Sequence, residues 1–248
     1  EAQAWSVPLL GRADHVCLQA APPQTGTVAV MAAGTGLGMS ALVRRAGALQ
    51  SLASEGGHAD FSPGSADEMD LLRVLQQQYG HVSAERVVSG PGLFRIYEFL
   101  RDRKPDAPSD DLAAELAQGD PSATVARAAQ QGRSALAEQA VLLFLGAYGA
   151  EAGNWALRTM AMGGMWLGGG VAQKLLVGPP DTPEAWRTRA RAAFLERFCA
   201  KGRLSPLLQS LQVHVMVTDE APLLGAAHYA LVDGGGAVPT ALQRESES

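Results

Sequence analysis

The sequence predicts an α/β fold in which helices outnumber strands, and three observations carry that reading. Thr27 to Ala33 and Val213 to Thr218 are short apolar runs with β-branched residues, of strand length and composition. Alanine- and leucine-rich stretches at helical spacing lie between them, the longest from Arg133 to Met160. Glycine clusters at 34–38, 163–164 and 168–170 punctuate the junctions.

Taken in order, Thr27–Ala33 ends in Gly34-Thr35-Gly36-Leu37-Gly38, and a second apolar run, Met39 to Val43, comes next. Strand, glycine loop, strand is a hairpin pattern. Ser65-Ala-Asp-Glu68 has capping-box spacing and opens a helix whose apolar face is expected to be Met69, Leu72, Leu75 and Tyr79. Ser89-Gly90-Pro91-Gly92 is expected to break the chain, before a second stripe of Leu93, Ile96, Tyr97 and Leu100. Arg103 to Asp111 reads as a charged surface loop, and a short helix runs from about Asp110 to Gln118, with Gly119 as its stop. Asp120-Pro121 supplies a cap and a first-turn proline for the next helix. Beyond the long central helix, Gly164–Leu167 is a strand and Gly168–Gly170 turns into a helix from Val171. Helices over Ala185–Cys199 and Pro222–Val232 flank the strand at Val213, and Gly234–Ser248 is a polar tail expected to fray.

Composition bounds the function. The 248 residues are 47% hydrophobic and 18% charged, with net charge −5, enough interior for one large domain or two small ones. A mean hydropathy of +0.01 excludes a disordered polyelectrolyte. No basic stripe exists to release counterions, which argues against a nucleic-acid partner. Cys17 and Cys199 cannot build a disulfide framework or a four-thiolate zinc site, so a reducing compartment is the default. The longest apolar run, Ala140 to Ala150, is too short for a bilayer, and no membrane partner is expected. Glu1 is preceded by neither methionine nor a basic, hydrophobic leader, which leads to the expectation of a processed chain or a piece of a longer one.

Four segments could carry chemistry. In the loop at 34–38, consecutive backbone amides and the Thr35 hydroxyl can cradle phosphate oxygens, although a tight hairpin also wants glycine. No Gly-Lys-Ser/Thr stands after it, so it is no P-loop; its G-x-G-x-G spacing is not a dinucleotide fingerprint, which removes a dinucleotide-dependent oxidoreductase. Glu55-Gly-Gly-His58-Ala-Asp60 places a carboxylate and an imidazole where they can converge on a hydroxyl-rich ligand, or simply form a solvated turn. No second histidine stands at metal-ligand spacing. Glu85-Arg86 is a common helix pair, and the glycines of 163–170 either lie flat against a planar ring or permit close strand–helix packing. Met160, Met162, Met165 and Trp166 read as core, and His15, His214 and His228 attract no functional reading.

Seven stretches in order resemble the bacterial glucokinase family of the hexokinase/actin/heat-shock ATPase superfamily. They are Gly34–Gly38, Glu55–Phe61, His81–Leu93, Gly153-Asn154, Gly163–Val171, Lys201–Arg203 and Leu223–Ala227, and they cover nearly the whole chain. His81-Val-Ser-Ala-Glu-Arg-Val-Val-Ser-Gly-Pro-Gly is the most specific of them. The resemblance implies a ribonuclease-H-like actin/hexokinase ATPase fold, mostly its large lobe: residues 1–20 end a small lobe, 21–220 form the large sugar- and nucleotide-binding lobe, and 221–248 return to the small lobe. It implies transfer of the ATP γ-phosphoryl to the 6-hydroxyl of glucose, with Mg²⁺ neutralising charge, in the cytoplasm, and it allows a homodimer. Glu55, His58 and Glu85 match positions that hold sugar hydroxyls; Gly34, Thr35, Gly36 and Gly38 match a phosphate loop; Gly168, Gly169 and Gly170 match the adenosine motif.

The departures shape the expectation. No Asp-x-Gly-Gly-Thr phosphate loop occurs in the sequence. The family's catalytic aspartate sits in an Asn-Asp-Phe-like motif, and Glu1–Leu10 resembles the family segment just after that motif. The base is therefore expected before Glu1, and the chain alone is expected to be inactive. Trp155, Gln173 and Leu204 stand where the family prefers other residues. The cysteine-rich zinc motif of the related repressor/open-reading-frame/kinase group has no counterpart in two distant cysteines. A non-catalytic sugar-binding or regulatory module of the same fold is the rival reading.

Overall fold

The computed structural model describes residues 1–45, 48–103 and 112–233. The Arg103–Asp111 loop beyond its first residue, the expected start of the next helix at Asp110 and the 234–248 tail lie outside the described residues.

Among them the chain order is α1 (Ala2–Ser6), β1 (His15–Gln19), β2 (Val28–Ala33), β3 (Leu37–Arg45) and β4 (Ala48–Ser54). Then come α2 (Ala66–Tyr79), α3 (Ala84–Val87), α4 (Gly90–Asp102), α5 (Ala113–Gln118), α6 (Pro121–Gln130) and α7 (Ala135–Thr159). The remainder is β5 (Met165–Gly168), α8 (Gly169–Ala172), α9 (Glu184–Cys199), α10 (Ser205–Gln209), β6 (Val213–Met216) and α11 (Ala221–Asp233). The strands make one mixed sheet in the order β1-β6-β5-β2-β3-β4. β2 pairs antiparallel with β3 and parallel with β5, and β5 pairs parallel with β6.

Side-chain alternation along each strand sorts the core. Ala29, Met31, Ala33, Met39, Ala41, Met165, Leu167, Val213 and Val215 face the main core, with α4, α6, α7 and α9. Val30, Leu42, Trp166 and Met216 face the other side, where Ala4 and Trp5 of α1 cover them. α11 lies on α1: His228 Nδ1 is 2.8 Å from the Trp5 carbonyl, and a Cβ on Gly225 would collide with the Ala2 carbonyl. The helix α7 is apolar nearly all round, which is why it sits inside the bundle. Gly149 and Gly153 let it approach α9, since a Cβ on either would overlap the carbonyl of Phe194 or Phe198.

Three expectations need correction. The buried residues of α2 are Glu68, Leu71 and Leu75, whereas Met69 is 45% exposed. The inward position belongs to Glu68, whose carboxylate accepts from Gly64 N and both of whose oxygens accept from Arg197 Nη2 of α9. For the same reason only half of the capping box forms: Ser65 Oγ accepts from Glu68 N, while the glutamate turns to Arg197. Ser89-Gly-Pro-Gly92 starts a helix and does not interrupt one: Ser89 Oγ accepts from Gly92 N at 3.2 Å, and Pro91 occupies the first turn, where a missing N–H costs nothing.

Opposite the main core, His214 of β6 is 8% exposed, stacks on Trp166 at 4.5 Å and meets the His15 ring at 4.8 Å. Its Nδ1 is buried without a hydrogen-bond partner, and Nε2 lies 3.4 Å from Gln212 Oε1. Burial, reinforced by the neighbouring His15, pushes the imidazole down to about 4. Below pH 6.5, its ordinary value, the unfolded chain takes up the proton more readily than the fold does. Stability is therefore retained above that pH and lost progressively as pH falls from 6.5 toward 4, by up to about 3 kcal/mol. Thermal unfolding of His214→Phe should show a shallower acid limb than the wild type; parallel curves would contradict this assignment.

Candidate active site

The hairpin between β2 and β3 closes tightly, with Ala33 opposite Leu37 and Gly34 N donating to the Gly36 carbonyl at 2.9 Å. Its position is fixed from two helices. Gly90 N, at the start of α4, donates to the Gly34 carbonyl at 2.7 Å, and Ser122 Oγ of α6 donates to the Gly90 carbonyl at 2.6 Å. None of Gly34, Gly36 and Gly38 adopts a positive φ. Space, not conformation, is what these glycines provide. A Cβ on Gly36 would lie 2.6 Å from Glu85 Oε2, whereas one on Gly34 would meet nothing within 4 Å.

Glu85 lies in the first turn of α3, which is capped by Ser83. Its Oε2 accepts from Leu37 N at 2.9 Å, which pins the carboxylate beside the glycine loop. Glu55 and His58 bracket the single turn Gly56–His58, at the end of β4. Gly57 is buried there, and a Cβ would run into the Leu37 carbonyl, so the turn rests directly on β3. His58 Nε2 stands 3.9 Å from Glu55 Oε2, and both side chains are mostly exposed to the hollow and solvent. Asp60 pairs instead with His81, Oδ1 to Nε2 at 2.8 Å.

Two adjoining cavities result. A polar hollow of about 420 Å³ is lined by Gly34–Gly38, Glu55, His58, Glu85 and Gly169. An apolar cavity of about 640 Å³ shares Gly34 and Thr35 with it. The walls of the second include Pro91, Phe94, Arg95 and Glu98 of α4, Pro121, Ser122 and Ala126 of α6, and Gly170, Val171 and Leu175. The glycine turn is the partition between them.

The structure brings most of the sequence-predicted residues together. Glu55, His58 and Glu85 meet in the polar hollow with Gly34, Thr35, Gly36 and Gly38. Gly169 reaches the hollow at φ +80°, pressed so closely on the Ala33 carbonyl that no other residue fits. Gly170 opens into the apolar cavity with nothing within 4 Å of its missing Cβ. Gly168 is buried behind Gln3 and lines neither cavity. Gly163 packs against Gly26 and Thr27, and neither it nor Gly164 lines either cavity. Asn154 and Lys201 clamp α9 to α7 outside both cavities: Lys201 Nζ donates to Asn154 Oδ1 and to the Ala150 carbonyl, and Asn154 Nδ2 donates to Glu151. Burial lowers the Lys201 ammonium from its ordinary value.

Sequence reasoning missed the α4 wall of the apolar cavity. Its signal was present: Pro91, Phe94, Arg95 and Glu98 stand at i, i+3, i+4 and i+7, a stripe beside the core-facing one. Among the described residues, no group of three or more His, Cys, Asp or Glu side chains is placed to hold a metal ion. No helix among them is long and apolar enough to cross a membrane.

A mixed sheet flanked by helices, with a cleft at a glycine hairpin, is the architecture of the actin/hexokinase ATPase fold. The chain belongs to the glucokinase family, whose model matches residues 1–232. A glucokinase of Nostoc sp. is 40% identical over 232 residues, covering 88% of this chain and 65% of the relative. A glucokinase of Yersinia pestis is 37% identical over 235 residues, covering 92% and 65%. The chain thus spans just under two thirds of the length of the curated relatives it matches. The crystal structure of a glucokinase from an Antarctic psychrotroph superposes with a TM-score of 0.76 at 29% identity, over 94% of this chain and 66% of that one. A Balamuthia mandrillaris glucokinase in complex with glucose has the same fold, with a TM-score of 0.70 at 20% identity, over 92% and 63%.

Proposed function

We propose that this chain carries the glucose- and ATP-binding surfaces of a glucokinase, which transfers the γ-phosphoryl of ATP to the 6-hydroxyl of glucose. The observation that carries this reading is the shared wall. A hollow of hydroxyl-binding groups and a cavity suited to a planar base meet at one glycine turn, where two substrates would present their reacting ends to each other. Glu55, His58 and Glu85 hold sugar hydroxyls; Gly34, Thr35, Gly36 and Gly38 cradle phosphates; Gly169 and Gly170 border the nucleotide, with Gly168 acting from behind as a packing residue. The open space over Gly34 and Gly170, where an added Cβ would meet nothing within 4 Å, leaves room for such a ligand.

Each role follows from the chemistry on hand. Glu85 uses Oε2 on Leu37 N and keeps Oε1 to accept a sugar hydroxyl. His58 can donate or accept, according to tautomer. With no carboxylate cluster among the described residues to hold it, Mg²⁺ would be held chiefly by the nucleotide's phosphate oxygens beside Gly34–Gly38 and would supply charge neutralisation there. The hollow's carboxylates serve recognition, and the base for the 6-hydroxyl is none of them. The pairing of α1 with α11 supports grouping the two helices, but β1 joins the same sheet as β2–β6 through β6, so a boundary at residue 20 would cut that sheet. The enzyme would act in the cytoplasm, at the entry of glucose into glycolysis.

The reading is tested at Glu85. Replacing a carboxylate acceptor by an amide in Glu85→Gln should weaken glucose binding by roughly ten- to a hundredfold, the value of one charge-assisted hydrogen bond. Calorimetric titration of glucose checks it, and unchanged affinity would remove Glu85 from the site.

A further inference from the structure

Within the nucleotide reading, on which this inference rests, the stripe Pro91, Phe94, Arg95 and Glu98 runs along α4 away from the glycine turn. Gly90, bonded to Gly34, marks the phosphate end. Glu98 is eight residues further on, about 12 Å along the helix axis, which is comparable with the reach of an extended nucleotide from phosphate to base. The base would therefore lie against Phe94, between Arg95 and Glu98.

The two charged residues are prepared differently. Arg95 is held in place: Nε donates to Tyr79 OH and Nη1 to the Arg86 carbonyl, each at 3.1 Å, and Arg86 and Arg95 both lie over the Tyr79 ring. Arg95 has no carboxylate partner among the described residues, and its remaining N–H groups can serve acceptor atoms of a ligand. Glu98 has only a loose partner, Arg101 at 3.9 Å, and its side chain is 43% exposed. A carboxylate only accepts. With Arg95 donating to N7, it fits the exocyclic 6-amino group of adenine and opposes the carbonyl of a 6-oxopurine, whose N1–H then points away from it.

We propose that Glu98 is a specificity-determining residue that selects 6-aminopurine over 6-oxopurine nucleotides, while Arg95 holds the ring's acceptor edge. The test is calorimetric titration of adenosine diphosphate and inosine diphosphate, which differ at the 6-substituent and in the proton on N1, into the wild-type chain, Glu98→Gln and Glu98→Ala. The wild type should prefer the adenine nucleotide by about tenfold, because one mismatched acceptor pair is at stake. In Glu98→Gln, whose amide can donate to a carbonyl, the preference should fall to near parity. Glu98→Ala should narrow it as well, which keeps the test independent of the amide's geometry. A wild type that binds both equally, or a preference untouched in both variants, overturns the assignment of Glu98. Failure of the wild type to bind either nucleotide overturns the nucleotide reading itself, and this inference with it.

Discussion

The 248-residue chain alone should phosphorylate glucose about 10²- to 10⁴-fold more slowly than a chain extended by the family's phosphate-loop strand and Asn-Asp-Phe segment, the usual cost of losing a general base. The expectation rests on how the carboxylates around the hollow are used. Glu85 is bonded to Leu37 N and presents its remaining oxygen for recognition. Glu55 stands in open solvent beside His58, at the rim of the hollow. Asp60 is engaged by His81 and lines neither cavity. No Asp-x-Gly-Gly-Thr motif occurs in these 248 residues to add donors to the glycine turn. Transition-state charge on the transferring group then has fewer preorganised donors. A coupled assay for glucose 6-phosphate on both chains is the test. Comparable turnover would place the base among these residues, and persistent glucose binding without turnover in either chain would favour the non-catalytic module.

Gly36→Val should abolish high-affinity glucose binding, at least about tenfold, while circular dichroism stays near that of the wild type. The loop has no positive φ, and the space beside Gly36 is filled by Glu85 Oε2 at 2.6 Å from the added Cβ. A branched side chain therefore pushes Glu85 off Leu37 N and out of the hollow. The strand register itself, Ala33 opposite Leu37, tolerates a β-branched residue. Gly36→Ala should show the same loss more weakly. Full glucose affinity in the valine variant would show that Glu85 and the loop are not coupled.

What the sequence disclosed depends on the range of the interactions that decide each element. The β2–β3 hairpin, the α6 start at Asp120-Pro121 and the long α7 are set by neighbours within a few residues, and each was legible. The edge strands β1 and β4 were not, because His-Val-Cys-Leu-Gln and Ala-Leu-Gln-Ser-Leu-Ala-Ser carry no strong alternation and depend on their partners β6 and β3. The face of α2 was misread because Arg197, 129 residues away, draws Glu68 inward. The polar side of the site was legible through motifs, since Glu55, His58 and Glu85 each sit in a short distinctive segment. Its apolar side was not: Glu98 and Arg95 gain meaning only when α6 and Val171 close the opposite wall.

The decisive measurement for two substrates meeting at one glycine turn is a crystal structure of this chain with glucose and adenosine diphosphate. Glucose is expected against Glu55, His58 and Glu85, the terminal phosphate at Gly34–Gly36, and the base along Phe94 toward Glu98. Glucose seated elsewhere, or a nucleotide whose phosphates lie away from the glycine turn, would contradict it.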